Sequence, residues 1–276
     1  MDEPVTASSL YASIHRFAAS HAYADIGCGE TSPDGPWFRY EELADPAVVD
    51  RIRQRLAREL DTTDRVAANN LFRAAHYLPL AMAGFLFVTE RRVPILHRNL
   101  ALLDQGYLKG IRLLEPRAIV LPTDPAAGHP GIETVPTAEA LADALFAEVA
   151  RTVEPVLATF LARKLVSQSN AWGMLIDSLA YGALAGGRVS TGTEAAWELW
   201  SSAVAGRSFP VRRRPRLLRF DADGRPAELM VRAHCCLYYT LDRVKQTAHP
   251  YCTSCYLETD ANRIERTRAE LRSRNR

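Results

Sequence analysis

The sequence has little net charge and no apolar run long enough to span a membrane. Lysine and arginine together number 34 against 32 aspartate and glutamate residues, a formal net charge of +2, which gives no indication of nucleic-acid binding. The most apolar segment, residues 78–88, is much shorter than the roughly 20 residues that a spanning helix needs. The opening residues MDEPVTASS lack the basic and apolar regions of a secretory signal. We therefore predict a cytoplasmic protein with no transmembrane segment and no nucleic-acid partner, while a peripheral association with a membrane stays open.

The composition is that of an ordinary folded protein, with 47% apolar and 24% charged residues. Apolar residues recur at helical spacing over residues 8–22 and 40–60, and turn-forming residues fill 27–37. A further apolar helix is predicted to start at a Thr62 or Thr63 cap and to be disturbed at Pro79. The short apolar runs FLFV, VPIL, LALL and AIVLP, between residues 85 and 122, predict a few strands. This half of the chain is therefore predicted to be mixed.

The second half is predicted to be mainly helical. Residues 122–136 contain four prolines and two glycines, which is typical of a connection between lobes. Helices are predicted from Thr137, over residues 166–184 and over 193–204, followed by a β-hairpin around an Asp-Gly turn before the cysteines. We predict a helix-rich α+β fold in three regions: a mixed N-terminal lobe (1–130), a helical lobe ending in a β-hairpin (131–232) and a C-terminal cysteine-rich segment (233–276).

Four of the five cysteines lie close together near the C-terminus. Cys235, Cys236, Cys252 and Cys255 have the spacing C-C-x15-C-x2-C, and an intracellular location disfavours disulfides, so a metal is the better explanation. Four thiolates suit either zinc or an iron-sulfur cluster. Adjacent cysteines in extended chain point to opposite sides, which favours a two-iron cluster over a single zinc, with a redox dithiol as a third hypothesis.

The segment CCLYYTL, followed by YCTSC, resembles the cluster-binding segment of the ferric-siderophore reductases of the FhuF type. A weaker resemblance extends upstream through SNAWGMLIDSLAYGAL. The gap of fifteen residues is longer than that family's usual gap, and Tyr256 stands where the family often has proline. The resemblance implies a [2Fe-2S] cluster on Cys235, Cys236, Cys252 and Cys255, in an oxidoreductase that reduces a ferric siderophore by one electron and releases Fe(II).

The same resemblance implies two partners, a ferric siderophore as substrate and an external electron donor. No flavin or nicotinamide fingerprint is present in the sequence, so the donor is expected to be a ferredoxin or a flavoprotein. The basic run formed by Arg212, Arg213, Arg214 and Arg216 would attract an anionic ferric complex or an acidic donor, unless it is only a solvated loop. A sensor or structural protein that binds iron-sulfur or zinc without turnover is the alternative function.

Other candidate residues are given weaker roles. The motif ADIGCGE at residues 24–30 resembles the glycine-rich loop of S-adenosylmethionine methyltransferases, but without a preceding strand we interpret it as a coincidence and Cys28 as a non-ligand. His234 and His249 flank the cysteine pairs and are expected to donate hydrogen bonds or face solvent. The tryptophans Trp172, Trp197 and Trp200 are expected to be core rather than to line a cleft. A second group is expected to be a histidine satisfied within the core or a polar face in solvent, rather than a pocket with a catalytic role: Asn69, Asn70, Arg73 and His76.

Overall fold

The computed structural model describes residues 5–31 and 35–274 and has a helix-rich α+β fold, which confirms the predicted fold class. The helices are α1 (Val5–Ala19), α2 (Pro46–Glu59), α3 (Asp64–Glu90), α4 (Ala138–Ala162), α5 (Gln168–Val189), α6 (Thr193–Val204), α7 (Asp242–Lys245) and α8 (Asp260–Arg274). The strands are β1 (Asp25–Cys28), β2 (Trp37–Arg39), β3 (Arg92–Pro94), β4 (Leu100–Gln105), β5 (Tyr107–Leu113), β6 (Ala118–Val120), β7 (Ile132–Thr134), β8 (Arg216–Asp221) and β9 (Pro226–Val231).

The strands form two small sheets and a hairpin. One sheet has the order β1-β5-β4-β2, with β1 parallel to β5, and the other has the order β3-β6-β7. The predicted hairpin is confirmed as β8 and β9. The predicted loop over residues 27–37 is wrong at both ends, because β1 includes Cys28 and β2 begins at Trp37. Residues 32–34 of that loop lie outside the described residues. The element that follows β1 is β2 and not a helix, so the motif ADIGCGE lacks the strand-loop-helix context of a nucleotide-binding loop.

Helix α3 forms the centre of the core. Thr63 caps it as predicted, its side chain accepting a hydrogen bond from the Val66 N–H. Two predictions about this segment are wrong: the helix continues through Pro79, and the run FLFV belongs to the helix and not to a strand. The reason is that residues 78–88 are all buried, and a short apolar run that is buried on every side has no periodicity to separate helix from strand. By length and apolarity α3 resembles a membrane span, yet 89% of its most apolar window is buried inside the protein.

Helices α3 and α5 pack together at very short range. A Cβ atom added to Gly182 would lie 1.8 Å from the Ala81 carbonyl oxygen, and one added to Gly84 would lie 2.1 Å from the Leu179 carbonyl oxygen. These contacts are with backbone, which cannot move aside without moving a helix. The two glycines therefore set the separation of the helices, and α5 is held in a fixed position for the residues that it presents to the cysteine segment.

The C-terminal half agrees with the predicted helices. Thr137 and Ser167 cap α4 and α5, and α6 has the predicted bounds 193–204. The proline-rich segment 122–136, predicted as the connection between lobes, contains β7, which pairs with β6. The division into three regions stays a prediction. Trp200 is buried and Trp172 stacks near Phe209, in agreement with the core interpretation of the tryptophans.

We predict that Gly182→Ala destabilises the protein by about 3 kcal/mol, because overpacking a helix contact against backbone forces the two helices apart. The measurement is the free energy of unfolding in urea. Val189→Ala, at a position of the same helix that is 59% exposed, is the control and should change stability by less than about 0.5 kcal/mol. Equal stability of the two variants would show that the helices separate easily.

A buried histidine on α3 makes the fold sensitive to acid. The His76 Nδ1 atom lies 2.6 Å from the Phe72 carbonyl oxygen, and its Nε2 atom lies 2.6 Å from the Tyr40 hydroxyl. The carbonyl can only accept, so Nδ1 carries the hydrogen and Nε2 accepts from Tyr40. Burial lowers the pKa of His76 to about 4, only partly opposed by the hydrogen bond to Phe72.

The unfolded chain therefore binds a proton at this histidine between pH 6.5 and 4 that the folded protein does not bind. Stability should fall as the pH falls through this window, by about 3 kcal/mol from this residue alone. We predict that His76→Gln flattens the loss of unfolding free energy between pH 7 and pH 4.5 relative to the unmodified protein. Identical slopes for the two proteins would contradict this assignment.

Candidate functional site

The four clustered cysteines lie on two chain segments that meet at the end of the hairpin. The first segment, residues 232–236, follows β9 directly, and the second, residues 252–255, leads into α8. The backbone N–H of Arg232 donates to the Ser254 carbonyl oxygen at 2.9 Å, and the Cys255 N–H donates to the Cys252 carbonyl oxygen at 2.9 Å. The hairpin end and the C-x-x-C turn are thus joined by backbone hydrogen bonds.

Asp177 on α5 holds the first segment. Its carboxylate accepts hydrogen bonds from the backbone N–H groups of Ala233, at 2.8 and 2.9 Å, and His234, at 3.1 Å. It also contacts Nδ1 of the His234 ring, which donates because a carboxylate accepts. One turn earlier on α5, Gly173 leaves room for the backbone and Cβ of His234, since a Cβ atom at Gly173 would lie 3.0 Å from the His234 Cβ.

Asn170 holds the first cysteine through its backbone. The Asn170 side-chain amide donates to the Cys235 carbonyl oxygen at 3.0 Å and accepts from the Cys235 N–H at 3.2 Å. The same amide nitrogen lies 2.7 Å from the Asn69 side-chain oxygen on α3. Asn170, Gly173 and Asp177 are spaced three and four residues apart, so they share one face of α5. That face is the docking surface for the double cysteine.

Arginines of α8 hold the second segment. Arg263, of which 1% is exposed, donates to the Cys255 carbonyl oxygen and also pairs with Asp260. Arg266 donates to the Tyr251 carbonyl oxygen at 2.7 Å. The highly charged helix α8 therefore has an inner face that fixes the C-x-x-C turn.

The thiols meet as two pairs. Cys235 hydrogen-bonds to Cys255, and Cys236 hydrogen-bonds to Cys252. Adjacent Cys235 and Cys236 therefore point to different partners, and the backbone turns immediately afterwards at Leu237, whose φ of 61° is left-handed. Within residues 5–31 and 35–274, no three or more His, Cys, Asp or Glu side chains are grouped so as to hold one metal ion.

Hydrogen bonds divide the thiols into easily and poorly ionised members. The pKa of Cys236 is lowered to about 4, mainly by its hydrogen bond with Cys252 and further by the nearby Arg232 charge. The pKa of Cys255 is lowered to about 6, mainly by its hydrogen bond with Cys235. The same two contacts raise the pKa of Cys235 and Cys252. Each pair therefore releases its first proton readily and holds its second.

The surroundings of the thiols favour negative charge. Backbone N–H groups donate to the sulfur of Cys235, from Leu237 at 3.3 Å, and to the sulfurs of Cys236 and Cys255. The guanidinium of Arg232 hydrogen-bonds Cys252 and acts electrostatically on Cys236 and Cys255. Its Nε and Nη2 atoms are buried and have no hydrogen-bond partner in the described part of the chain. The Asp177 carboxylate also acts electrostatically on this arginine, so the arginine lies near both that carboxylate and three of the sulfurs.

Two cavities open onto different members of the pairs. The larger, of about 690 Å³, reaches Cys235 and is also lined by Arg65, Lys164, Arg212, Arg213 and Tyr256. The smaller, of about 420 Å³, reaches the other pair and is lined by Asn70, Arg73, Arg232, Cys236 and Cys252.

The structure brings the four predicted cysteines to one place, and it separates Cys28 from them, because the side chains near Cys28 are Tyr11 and Arg112. His249 is exposed, and His234 binds Asp177 instead of a sulfur. Arg232, Asn170 and Asp177 are site residues that the sequence reasoning missed. The helical spacing of Asn170, Gly173 and Asp177, in the SNAWGMLID stretch, was the signal that could have identified two of them.

Comparisons with known proteins place the chain in no family. No family model matches, and no curated protein matches. Among solved structures, ATP-bound aerobactin synthetase IucA from a hypervirulent pathotype of Klebsiella pneumoniae is similar with a TM-score of 0.49 and 14% identity. The alignment covers 70% of this chain and 43% of that chain. A likeness at this level carries no argument about fold or activity.

We predict that Asp177→Ala loosens the cysteine segment and costs about 3 kcal/mol, because it leaves buried donors of Ala233 and His234 without an acceptor. Unfolding in urea measures the stability, and the reaction rate of the metal-free protein with a chromogenic disulfide reagent measures thiol access, which should rise. Ser178→Ala is the matched control, since that hydroxyl donates to the Met174 carbonyl oxygen within its own helix. Thiol rates that are the same in both variants would contradict the anchoring role.

Proposed function

We propose that Cys235, Cys236, Cys252 and Cys255 hold a [2Fe-2S] cluster and that the protein uses it to reduce a ferric siderophore by one electron. The observation that carries the proposal is that the 2.9 Å hydrogen bond from the Arg232 N–H to the Ser254 carbonyl joins the double cysteine to the C-x-x-C turn. There Cys235 pairs with Cys255 and Cys236 pairs with Cys252. Each iron of a [2Fe-2S] cluster with four cysteine ligands takes two thiolates, so two separate pairs fit that donor set. A structural zinc needs four ligands around one point, and the paired arrangement supports that alternative less well.

The charges around the thiols support the same proposal. Four thiolates with a two-iron cluster carry net negative charge, and Arg232 provides a cation with buried, unpartnered nitrogen atoms beside three of the four sulfurs. N–H donors to the sulfurs add to this effect, and such hydrogen bonds are among the factors that set the reduction potential of iron-sulfur centres. The residues present therefore fit the group.

In this proposal the protein's residues would hold the cluster, compensate its negative charge and bring the substrate close to it. A [2Fe-2S] cluster supplies a one-electron carrier at the four thiolates. Asn170 and Asp177 fix the double cysteine on α5, and the α8 arginines fix the C-x-x-C turn. A substrate bound in the cavity at Cys235 would lie next to one thiol pair.

The electron balance needs an external donor. A reduced ferredoxin or flavoprotein loses one electron, and the Fe(III) of the bound siderophore gains it and becomes Fe(II). Siderophores bind iron through hard oxygen donors, which hold Fe(II) far more weakly, so the reduced metal is released.

The first test is the metal content of anaerobically purified protein. We expect two irons and two acid-labile sulfides per chain, no stoichiometric zinc, and an electron paramagnetic resonance signal of a reduced [2Fe-2S] centre after dithionite treatment. Cys252→Ser should lose this signal. Cys28→Ser, which changes the cysteine outside the site, is the control and should keep it.

One zinc per chain without sulfide would overturn the proposal and return the cysteines to a structural role. If the cluster is present, reduced protein should convert ferric siderophore to Fe(II) that a ferrous-specific chromogenic chelator captures. If the cluster is complete but reduces no ferric siderophore, the reductase function is wrong and the sensor alternative is supported.

A further inference from the structure

The larger cavity has an unusual charge composition. Its lining includes Arg65 from α3, Lys164 from the end of α4, and Arg212 and Arg213 from the loop before β8, but no aspartate or glutamate. Within the described residues, no carboxylate lies within salt-bridge distance of any of these four cations. All four residues are exposed, so four positive charges from three separate parts of the chain face one open space without a protein carboxylate to neutralise them.

The neighbouring basic residues behave differently. Arg163, next to Lys164, pairs with Asp50 at 2.7 Å, and Arg216 pairs with Asp260 at 2.6 Å. Arg214, next to Arg213, donates to backbone carbonyl oxygens. These three neighbouring arginines therefore have carboxylate or carbonyl partners. The four basic residues that line the cavity have no carboxylate partner and are available to bind a ligand.

The basic loop is also fixed to the cysteine site. The Arg212 backbone N–H donates to the Ser169 hydroxyl oxygen at 3.1 Å, one residue before the Asn170 that holds Cys235. The Arg213 guanidinium lies over the Tyr256 ring at 4.6 Å from its centre, and Tyr256 directly follows Cys255. A ligand in this cavity would therefore contact cations that are held at a defined position beside the Cys235–Cys255 pair.

We propose that this cavity binds ferric siderophores that carry net negative charge, of the catecholate or α-hydroxycarboxylate class, in preference to neutral or cationic hydroxamate complexes. The inference rests on the function proposed above and specifies its substrate class. Three catecholate groups on Fe(III) give a complex with a net charge of −3, which the four cations attract. The same cations do not attract a hydroxamate complex that carries an ammonium tail. The cavity volume of about 690 Å³ lies within the range of roughly 300–1,000 Å³ that small-molecule sites occupy.

Binding is tested with Ga(III) complexes, because gallium has the charge and coordination of Fe(III) but accepts no electron. The probes are the Ga(III) complexes of a hexadentate tris-catecholate and of a linear trihydroxamate with an ammonium tail, titrated into the purified protein by calorimetry. We expect the tris-catecholate complex to bind at least about tenfold more tightly, and its affinity to fall as salt rises. Equal affinity for the two complexes, or binding of neither, would overturn the inference.

Variants locate the preference in the cavity. The double variant Arg212→Gln/Arg213→Gln should lose at least about tenfold in affinity for the tris-catecholate complex, with no loss for the cationic complex. Lys164→Gln, in a different part of the chain from the loop, should weaken the same complex in the same direction. Arg188→Gln removes an exposed arginine outside the cavity lining and should have no effect. A double variant that binds like Arg188→Gln contradicts the assignment.

Iron and sulfide content measured on the same samples separates this inference from the proposed function. Protein that holds the cluster and binds both complexes equally well disproves the charge preference and leaves the reductase proposal standing. Protein that prefers the anionic complex but contains zinc and no sulfide disproves the reductase and shows an anion-binding cavity alone.

Discussion

The cysteine site depends on the buried carboxylate of Asp177. This group, 3% exposed, is where the helical body of the protein meets the C-terminal segment. A buried carboxylate is costly unless its oxygen atoms accept hydrogen bonds, and here the donors come from Ala233 and His234, the two residues before the double cysteine. The segment therefore depends on Asp177 for its position, and the buried Asp177 carboxylate depends on the segment for its hydrogen-bond donors. Glycine contacts fix α5 against α3. Because α5 in turn binds the segment, Cys235 and Cys236 are held at a fixed position relative to the core.

The charges of the site are arranged in layers. The carboxylate lies on the inner side and binds backbone donors, so its charge is used in positioning the chain. Arg232 and the backbone N–H groups lie against the sulfurs, where they favour thiolates over thiols. Arg212, Arg213 and Lys164 lie farther out around the cavity. The positive charge of the site is thus graded from the partly buried Arg232 beside the sulfurs to exposed cations around the cavity.

Much of the helical architecture follows from the sequence because caps and periodicity are local signals. Thr63, Thr137 and Ser167 mark helix starts that the structure reproduces. The failures lie where tertiary burial decides, as in FLFV, which is apolar on all sides because α3 is surrounded by protein. The cysteine spacing indicated the location of the site and the divergence of Cys235 from Cys236. It did not identify the groups that hold them, because Asp177 and Asn170 are about sixty residues away in the chain.

The same limit applies to the basic run. Sequence reasoning could group Arg212 with Arg213 because they are adjacent, but Arg65 and Lys164 reach the same space only through the packing of α3 and α4. Likewise, Asn69 reads as one polar position of a core helix. In the structure its side-chain oxygen lies 2.7 Å from the Asn170 amide that holds Cys235. The role of a polar residue on a buried helix depends on its tertiary contacts, which the sequence alone does not give.

The two anchors have a consequence for the fifteen residues between Cys236 and Cys252. One end of this stretch is fixed to α5 and the other to α8, while residues 245–249 in between are exposed. The stretch is a surface excursion whose ends are fixed independently, so insertions or deletions at its exposed part leave the four sulfurs where they are. Loop length is therefore a poor criterion for grouping sequences around this motif. A search pattern would do better with a free gap and a fixed Asn-x-x-Gly-x-x-x-Asp on the upstream helix.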